Sequence, residues 1–181
     1  ASDVYKRQIR TIRPTTTSRT LSPMNNLFDV SGKVVLVTGG SRGIGEMIAR
    51  GFVDGGAKVY ISSRKADVCE ALAAELSAKG GTCIAIPADL STEAECQRLA
   101  YELGQREERL DVLVNNAGAT WGAPMAETDE SAFERVLALN VKGVFHLTKF
   151  LRPMLEKAGT ADSPARVINI GSIDGIHVPI M

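Results

Sequence analysis

The residues with the clearest capacity for chemistry lie in one glycine-rich segment, residues 38–45, which reads T-G-G-S-R-G-I-G. Gly39, Gly43 and Gly45 let the backbone turn tightly and approach an anion without a Cβ in the way. A short apolar run precedes the turn and a helical period follows it, so free N–H groups at the start of that helix can bind a phosphate. The segment predicts either the phosphate-binding turn of a nucleotide-binding domain or an ordinary glycine-rich turn.

The spacing of the glycines and the residue that follows them narrow the class of nucleotide. The pattern is G-x-x-x-G-x-G, not the common dinucleotide pattern G-x-G-x-x-G, which indicates a subgroup of dinucleotide-binding proteins. Glu46 follows Gly45 at the position where a phosphate-binding NTPase loop carries lysine. Because no side chain is placed there to bind a β- or γ-phosphate, the sequence argues against an ATPase or GTPase.

Apolar runs alternate with helical segments along the chain, and this alternation predicts the elements that position the glycine turn. The five predicted strands cover residues 33–37, 58–61, 83–86, 112–114 and 166–170. The four predicted helices cover residues 44–54, 66–78, 92–106 and 129–157. Thr92 and Glu95 predict a capping box. The predicted fold class is α/β, a Rossmann-type doubly wound parallel sheet with helices on both faces, whose ligands bind at the carboxyl ends of the strands.

Composition and charge exclude several classes of protein. The chain has 181 residues with 21 Lys and Arg against 21 Asp and Glu, so no net field attracts nucleic acid or an anionic membrane surface. No apolar run approaches the length of about 18 residues that spans a membrane. Cys69, Cys83 and Cys96 form no C-x-x-C pair, which is typical of reduced thiols in an intracellular protein. His146 and His177 share no ligand spacing, so no metal is predicted. We expect a cytoplasmic protein whose partner is a small molecule.

The first 23 residues differ from the rest of the chain. They carry five Lys and Arg against a single acid, with many Ser and Thr and little apolar periodicity, and we expect them to be disordered. Such a leader is typical of an organelle transit peptide. It also resembles read-through or library-derived sequence, and Met24 is a candidate start. Both interpretations exclude residues 1–23 from the fold and leave residues 24–181 as one partial domain.

The end of the second predicted strand carries Ser62, Ser63 and Arg64. In dinucleotide-binding sheets, a carboxylate about 20 residues after the glycines bonds the ribose 2′-hydroxyl and repels a 2′-phosphate. Here the guanidinium of Arg64 can fork onto such a phosphate, and Arg42 can approach it from the glycine turn. These residues predict NADP(H) as the cofactor instead of NAD(H). The alternative is that Arg64 only pairs with Asp67 on the surface.

Two further motifs follow predicted strands and complete a family pattern. Asp89 and Leu90 follow the third strand, and residues 115–118, N-N-A-G, close the fourth. Together with the glycine turn, these motifs resemble the short-chain dehydrogenase/reductase family over about residues 28–178. The resemblance implies hydride transfer between a nicotinamide dinucleotide and a carbonyl compound or an alcohol.

The resemblance assigns parts of the dinucleotide to residues of this chain. The residues implied around the pyrophosphate are Gly39, Ser41, Arg42, Gly43, Ile44 and Gly45. The residues implied at the adenine are Asp89 and Leu90, and those implied at the ribose and nicotinamide are Asn116, Ala117 and Gly118. Asp89 has an alternative role, because an aspartate at this position also ends the strand and orients the turn into the next helix.

The resemblance also implies a catalytic set of Ser, Tyr, Lys and Asn, because a proton must be given or taken at the substrate oxygen. Ser172 matches the Ser that positions the substrate, and Asn140 matches the Asn that holds a water in the proton relay. The structural alternatives are that Ser172 caps the strand end and that Asn140 bends the helix. An amide in an apolar stretch needs partners, which favours the functional role. Trp121 either edges the substrate cleft or packs as a loop aromatic.

One part of the family pattern is missing. The Tyr-x-x-x-Lys pair of the family follows shortly after the Ser, and the sequence reaches Met181 without it. None of Tyr5, Tyr60 and Tyr101 is followed four residues later by Lys. We therefore expect the amino-terminal part of a longer enzyme, truncated after the fifth strand and inactive as it stands, with that strand as an unpaired edge.

Two functions fit these residues. The first is an NADP(H)-dependent oxidoreductase acting on a ketone or secondary alcohol. Residues 88–91, 120–123 and 164–172 are similar to 3-oxoacyl-acyl-carrier-protein reductases of the rhamnolipid-type branch, which implies a 3-oxoacyl thioester. The second is a non-catalytic dinucleotide-binding module with a regulatory or scaffold role, against which Asn140 and Ser172 argue. By resemblance, the full-length protein is a homo-oligomer, a dimer or a tetramer, that uses the last predicted helix in assembly.

Overall fold

A computed structural model of the chain describes residues 28–175; the predictions for residues 1–23, Met24 and His177 lie outside the described residues. The strands are β1 (Val34–Thr38), β2 (Lys58–Ser62), β3 (Thr82–Ala85), β4 (Val112–Asn115) and β5 (Arg166–Asn169). The α-helices are α1 (Gly43–Asp54), α2 (Ala66–Ala78), α3 (Glu93–Gly104), α4 (Glu130–Leu137) and α5 (Val144–Ala158). A π-helical segment, Ala138–Gly143, joins α4 to α5, and short 3-10 helices cover Met125–Glu127 and Ile173–Gly175.

The five strands form one parallel sheet in the order β3-β2-β1-β4-β5. The central strand is β1, whose Val35 lies opposite Val59 of β2 and Val112 of β4. Connections between parallel strands must cross over the sheet, and here helices provide them, which confirms the predicted doubly wound α/β fold. Among the described residues, β5 pairs with β4 alone, and all four of its residues are exposed, so it forms an edge of the sheet.

Hydrophobic residues cover both faces of the sheet, because successive side chains of a strand point to opposite sides. Val35 and Val37 of β1 pack in one buried cluster with residues of α1 and α2. Leu36 packs in a second cluster with residues of α3 and α5, including the fully buried Leu99 and Leu151. Complete burial of such a side chain contributes about 1.5–3 kcal/mol, so these two layers hold the carboxyl ends of the strands in place.

Most predicted boundaries agree with the structure to within two residues, and the capping box is only half formed. The Thr92 hydroxyl accepts a hydrogen bond from the Glu95 N–H at 3.3 Å, as predicted. The Glu95 carboxylate does not return to Thr92, because it accepts instead from the Asp89 N–H and from Arg98. The Thr92 hydroxyl therefore caps one unpaired N–H group of the helix, and the Glu95 carboxylate binds Asp89 and Arg98 in place of the Thr92 N–H.

The continuous helix predicted over residues 129–157 is wrong in its middle. It divides into α4, the π-helical segment and α5. The Asn140 side chain binds the backbone of Ala119, and Gly143 lies against the Leu90 carbonyl oxygen, which a Cβ at position 143 would approach to 2.3 Å. The wider π turn accommodates both contacts, and such turns occur frequently at functional sites.

Residues 28–175 show neither a membrane-spanning helix nor a cluster of metal-binding side chains. No helix in this part of the chain is long and apolar enough to cross a membrane. No group of three or more His, Cys, Asp and Glu side chains in the same part is arranged to hold a metal ion.

Candidate functional site

An open cavity of about 350 Å³ lies at the carboxyl ends of the central strands. Its lining residues are Gly39, Ser41, Arg42, Ile44, Gly45, Ser62, Ser63, Arg64, Lys65, Val68, Ala88, Leu90, Asn116, Ala117, Gly118 and Leu139. The structure thus brings most of the predicted cofactor residues to one wall. Four predicted site residues, Gly43, Asp89, Asn140 and Ser172, do not line the cavity.

The glycines of the turn after β1 are required for different structural reasons. Gly39 and Gly43 have φ of +63° and +57°, a region that side chains with a Cβ rarely adopt. Gly45 has no room for a side chain, because a Cβ there would stand 2.2 Å from the Gly39 carbonyl oxygen and 2.5 Å from Asn116 Nδ2. Each predicted glycine is therefore required by conformation or by close approach.

The start of α1 faces this turn without a side-chain cap. Arg42 is the N-cap residue, with φ of −162°, and its side chain makes no capping hydrogen bond. The first N–H groups of a helix have no partner within the helix, and the helix dipole makes them attractive to an anion. Since Ser41, Arg42, Ile44 and Gly45 also line the cavity, the helix begins beside a space that a phosphate group could occupy.

Three cationic side chains, Arg42, Arg64 and Lys65, line the cavity, and no acidic residue is among its described lining residues. Within residues 28–175, Arg64 forms no ion pair, so the alternative pairing with Asp67 is not observed. Lys65 was not predicted from sequence, although its place next to Arg64 was a usable signal. Ser62, which is fully buried in the same wall, has a hydroxyl without a hydrogen-bond partner in the described part of the chain.

The N-A-G strip, residues 116–118 after β4, is hydrogen-bonded to the glycine turn. Asn116 Nδ2 donates to the carbonyl oxygens of Thr38 and Gly39 at 3.0 and 3.3 Å. The Thr38 hydroxyl accepts from the N–H groups of Asn116 and Ala117 at 2.9 and 3.0 Å. These bonds fix the strip against the turn, so Asn116 shapes the wall as well as lining it. Thr38 was not predicted as a site residue, because its partners lie 78 and 79 residues away in sequence.

Asp89 and Leu90 have different positions in the turn before α3. Leu90 is 5% exposed and lines the cavity, and its contact with an adenine stays a prediction. The Asp89 carboxylate accepts from the Ser91 N–H at 3.2 Å, which is the turn-orienting role given above as the alternative. The contact of Asp89 with an adenine stays a prediction.

The Asn140 side chain clamps the loop after β4. Its Oδ1 accepts from the Ala119 N–H and its Nδ2 donates to the Ala119 carbonyl oxygen, both at 2.8 Å. The adjacent Leu139 lines the cavity, so the π-helical segment touches both the cavity and the loop. Because these two bonds already use both ends of the amide, the side chain acts on the backbone of the loop.

Ser172 is exposed and lies just beyond the end of β5, at the same edge of the sheet as the cavity. The Ile170 N–H donates to the Asn115 carbonyl oxygen at 2.9 Å, and Asn115 Nδ2 donates to Asn169 Oδ1 at 2.9 Å. These bonds hold the ends of β4 and β5 side by side. The Ser172 carbonyl oxygen accepts from the Gly175 N–H at 3.0 Å, closing the short 3-10 turn.

Trp121 lies in the loop that Asn140 clamps. Its ring is 48% exposed and lies under the Arg135 guanidinium, whose carbon is 5.0 Å from the ring centroid. A cation over an indole face stabilises the arrangement electrostatically. The contact supports the packed-loop interpretation, with a large part of the ring left accessible.

A parallel sheet in which β1 lies between β2 and β4 binds its ligand at the carboxyl ends of these strands, where the chain reverses direction across the sheet. The cavity occupies this place, and its wall consists of a glycine turn and a helix N-terminus. Fold and site together define a Rossmann-type dinucleotide-binding domain. Comparison with known families is more specific: the family model described as short chain dehydrogenase matches residues 33–181, and the chain belongs to this family.

Two curated relatives are similar over most of the chain. A rhamnolipids biosynthesis 3-oxoacyl-[acyl-carrier-protein] reductase of Pseudomonas aeruginosa is 52% identical over 153 residues, which are 84% of this chain and 59% of that protein. An L-fucose dehydrogenase of Mus musculus is 42% identical over 146 residues, which are 80% of this chain and 50% of that protein. The chain therefore spans between half and three fifths of these relatives, and the predicted family resemblance is confirmed.

Solved structures agree with this assignment. The Pseudomonas aeruginosa RhlG/NADP active-site complex matches with 51% identity and a TM-score of 0.81, over 85% of this chain and 60% of that chain. A metagenomic short-chain oxidoreductase in complex with NADP matches with 33% identity and a TM-score of 0.75, over 84% of this chain and 67% of that chain.

Proposed function

We propose that the full-length protein is an NADP(H)-dependent oxidoreductase that transfers a hydride between the nicotinamide and a carbonyl compound or secondary alcohol. The observation that carries the proposal is the cavity wall with Arg42, Arg64 and Lys65 and no acid among the described lining residues. A guanidinium binds phosphate in a bidentate manner, whereas NAD-binding sheets carry a carboxylate at the end of the second strand. Two of the matched structures are complexes with NADP, which supports this choice.

The residues present fit a dinucleotide. The uncapped start of α1 and the glycine turn would hold the pyrophosphate, and Arg64 with Arg42 would hold the 2′-phosphate. Gly45 leaves no room for a Cβ beside this turn, which keeps the space open for a phosphate group. When bound, the reduced nicotinamide supplies the hydride.

The chain's own catalytic contribution centres on Ser172 and Asn140. We assign to Ser172 the hydrogen bond that positions the substrate oxygen, since it follows β5 at the edge of the sheet that carries the cavity. We assign to Asn140 the placement of the loop at Ala119, because both ends of its amide bind that backbone. The proton donor of the family is a Tyr-x-x-x-Lys pair, which the 181 residues do not contain.

The binding test measures the affinity of the protein for NADPH, NADH and adenosine 2′,5′-bisphosphate by titration calorimetry. We expect NADPH to bind at least about 100-fold more tightly than NADH, the difference of about 3 kcal/mol that one charge-assisted phosphate contact supplies. Binding of adenosine 2′,5′-bisphosphate would locate the preference in the adenosine half. Equal affinity for NADPH and NADH would contradict the NADP(H) assignment.

We propose a 3-oxoacyl thioester as the substrate, supported by the 52% identity to the reductase of that name. The L-fucose dehydrogenase is less similar, at 42%, and supplies the competing substrate. The test follows NADPH oxidation by the full-length protein with a 3-oxoacyl thioester and with simple ketones, and NADP reduction with L-fucose. Turnover of L-fucose alone would contradict the thioester proposal while leaving the oxidoreductase proposal intact.

A second candidate, a non-catalytic dinucleotide-binding module with a regulatory or scaffold role, gains support from Asn140. Its bonds to Ala119 provide a structural reason for this residue that does not require catalysis. The two candidates differ in turnover, not in cofactor affinity. Tight NADPH binding by the full-length protein without oxidation by any ketone, aldehyde or thioester would favour the module.

We further propose that the full-length protein is a homo-oligomer that buries the outer face of α4 and α5. Phe133, Val141 and Phe145 are 60%, 56% and 63% exposed along this helical unit. Large apolar side chains grouped on a surface favour association. Analytical ultracentrifugation tests the proposal, and a monomer at micromolar concentration would contradict it.

We place the protein in the cytoplasm because its three cysteines within the described chain, Cys69, Cys83 and Cys96, are free and buried. Reduced thiols without disulfides are typical of that compartment. Fluorescence imaging of the tagged protein tests this placement, and import into an organelle would support a targeting role for residues 1–23.

A further inference from the structure

The turn between β3 and α3, residues 86–91, forms one part of the cavity wall. Ala88 and Leu90 of this turn line the cavity. The Ala88 N–H donates to the Ser63 carbonyl oxygen at 3.1 Å, which joins the turn to the end of β2 beside Arg64. The position of this turn therefore determines the space available along this part of the cavity wall.

Two side chains of α3 hold the backbone of this turn from outside the cavity. Arg98 Nη2 donates to the Pro87 carbonyl oxygen at 2.5 Å, and Glu95 Oε2 accepts from the Asp89 N–H at 3.4 Å. The same guanidinium binds Glu95 through Nε at 2.8 Å and Nη2 at 2.9 Å. Arg98 and Glu95 thus contact the residues on both sides of Ala88.

This pair differs from the other ion pairs of the helix. Arg106, just beyond α3, binds Glu102 on the surface, and such exposed pairs contribute little to stability. Arg98 also binds Glu102, but its planar fork reaches the backbone of the turn at the same time. The hydrogen bond from Arg98 holds the pKa of Glu95 below its usual value, so the carboxylate stays ionised near neutral pH.

The other end of the turn is already fixed by packing. A Cβ at Gly143 would stand 2.3 Å from the Leu90 carbonyl oxygen, so the backbone of the π-helical segment packs closely against this end. The end that carries Pro87 and Asp89 has no such support from the segment. Loss of Arg98 would leave it to the hydrogen bonds that the Ile86 and Ala88 N–H groups donate to β2 and its end, and to the long bond from the Asp89 N–H to Glu95.

We propose that Arg98 and Glu95 are positioning residues for the adenosine half of the dinucleotide, acting through the turn of residues 86–91. This inference rests on the proposed function. Neither residue lines the cavity, so the effect is transmitted by the backbone at Pro87 and Asp89. Because adenine is common to both cofactors, the affinities for NADPH and NADH depend on Arg98 equally.

The experiment compares three variants of the full-length protein with the wild type. Arg98→Met keeps a long unbranched side chain and removes every hydrogen bond of the guanidinium group. Arg98→Lys keeps the positive charge and loses the planar set of donors. Arg106→Met is the matched control, because Arg106 shares the partner Glu102 and does not contact the turn. Dissociation constants are measured for NADPH, NADH and adenosine 2′,5′-bisphosphate, together with KM and kcat and the midpoint of thermal unfolding.

For Arg98→Met we expect all three dissociation constants and the KM for the cofactor to rise by the same factor, about threefold to tenfold, while kcat changes little. Arg98→Lys should show a smaller rise, and Arg106→Met none. An unchanged dissociation constant in Arg98→Met, an equal rise in Arg106→Met, or a rise limited to NADPH would overturn the inference. If Arg98→Met does not fold, an unchanged constant in Arg98→Lys has the same consequence.

The wild-type measurements separate this inference from the function on which it rests. A wild-type protein that binds none of the three ligands overturns both proposals. A wild-type protein that binds NADPH tightly, together with an Arg98→Met variant that binds it equally well, overturns the positioning role alone.

Discussion

Gly45 and Gly51 lie on the same helix, α1, and differ in what surrounds their α-carbons. A Cβ at position 45 would stand 2.2 Å from the Gly39 carbonyl oxygen, whereas a Cβ at position 51 would have no atom within 4 Å. Neither residue has a positive φ. The same substitution at these two positions therefore separates the packing of the glycine turn from the intrinsic helix propensity of alanine.

We expect Gly45→Ala to lower the free energy of unfolding by about 1–3 kcal/mol, because the backbone of the glycine turn must move to admit the methyl group. The same movement displaces the proposed pyrophosphate site, so NADPH binding should be lost. Gly51→Ala should raise the free energy of unfolding by about 0.5–1 kcal/mol and leave binding unchanged. Urea denaturation and titration calorimetry measure both effects, and similar behaviour of the two variants would contradict the close approach at Gly45.

Arg64 carries the cofactor preference at the end of β2. We expect Arg64→Asp to change the ratio of NADPH to NADH affinities about 100-fold toward NADH, or about 2.8 kcal/mol, because a carboxylate repels the 2′-phosphate and bonds a 2′-hydroxyl. Arg152→Asp is the control, since Arg152 pairs with Glu156 on α5 and does not line the cavity. Calorimetric titration of each variant gives the ratio, and an unaltered ratio in Arg64→Asp would refute the phosphate role.

The π-helical segment between α4 and α5 is the element that places Asn140 against Ala119. We expect Asn140→Asp to lower the free energy of unfolding by about 1 kcal/mol, because a carboxylate still accepts the Ala119 N–H and cannot donate to the Ala119 carbonyl oxygen. Gln97→Glu on the exposed side of α3 is the control for the change from amide to acid. Hydrogen exchange at residues 117–125 should become faster in Asn140→Asp alone, and unchanged exchange there would contradict the clamp.

Elements with local signals could be predicted from sequence, and contacts between distant segments could not. The apolar runs and the glycine turn predict five strands and most of the cavity wall, because burial and turn conformation impose residue types within a few positions. The π-helical segment was missed because its cause, the pairing of Asn140 with Ala119, joins residues 21 apart. Thr38 was missed for the same reason. A polar residue in an apolar helical stretch signals only that a partner exists.

At the scale of the whole molecule, the three buried cysteines make the free energy of unfolding depend on pH in the alkaline range. Burial raises the pKa of the Cys83 and Cys96 thiols to about 11, and it raises the pKa of Cys69 in the same direction. The folded state therefore holds protons that the unfolded state releases above a pKa of about 9. This contribution to stability is complete below pH 9 and is lost as the pH rises from about 9 to about 11.

We expect the free energy of unfolding to fall by about 1.4 kcal/mol for each of Cys83 and Cys96 between pH 8 and pH 10. Denaturation by urea at several pH values measures this slope. Cys96→Ser is the control, because serine does not titrate in this range and has acceptors nearby in the carbonyl oxygens of Leu90 and Gly143. A slope that Cys96→Ser leaves unchanged would contradict the burial of this thiol as its cause.

The central position of β1 in the sheet has a consequence for synthesis on the ribosome. Among the described strands β1 emerges first, but one of its two neighbours, β4, ends only at Asn115. Until that residue has left the exit tunnel, β1 can pair only with β2, and the apolar side chains of Leu36 and its cluster lack α5, one of the two helices that cover them. Pairing over such sequence distances is slow, and exposed strand edges at this stage promote aggregation. Nascent chains that stall before residue 115 should therefore depend on a ribosome-associated chaperone, and chains that have passed it and gained α5 should become independent of one.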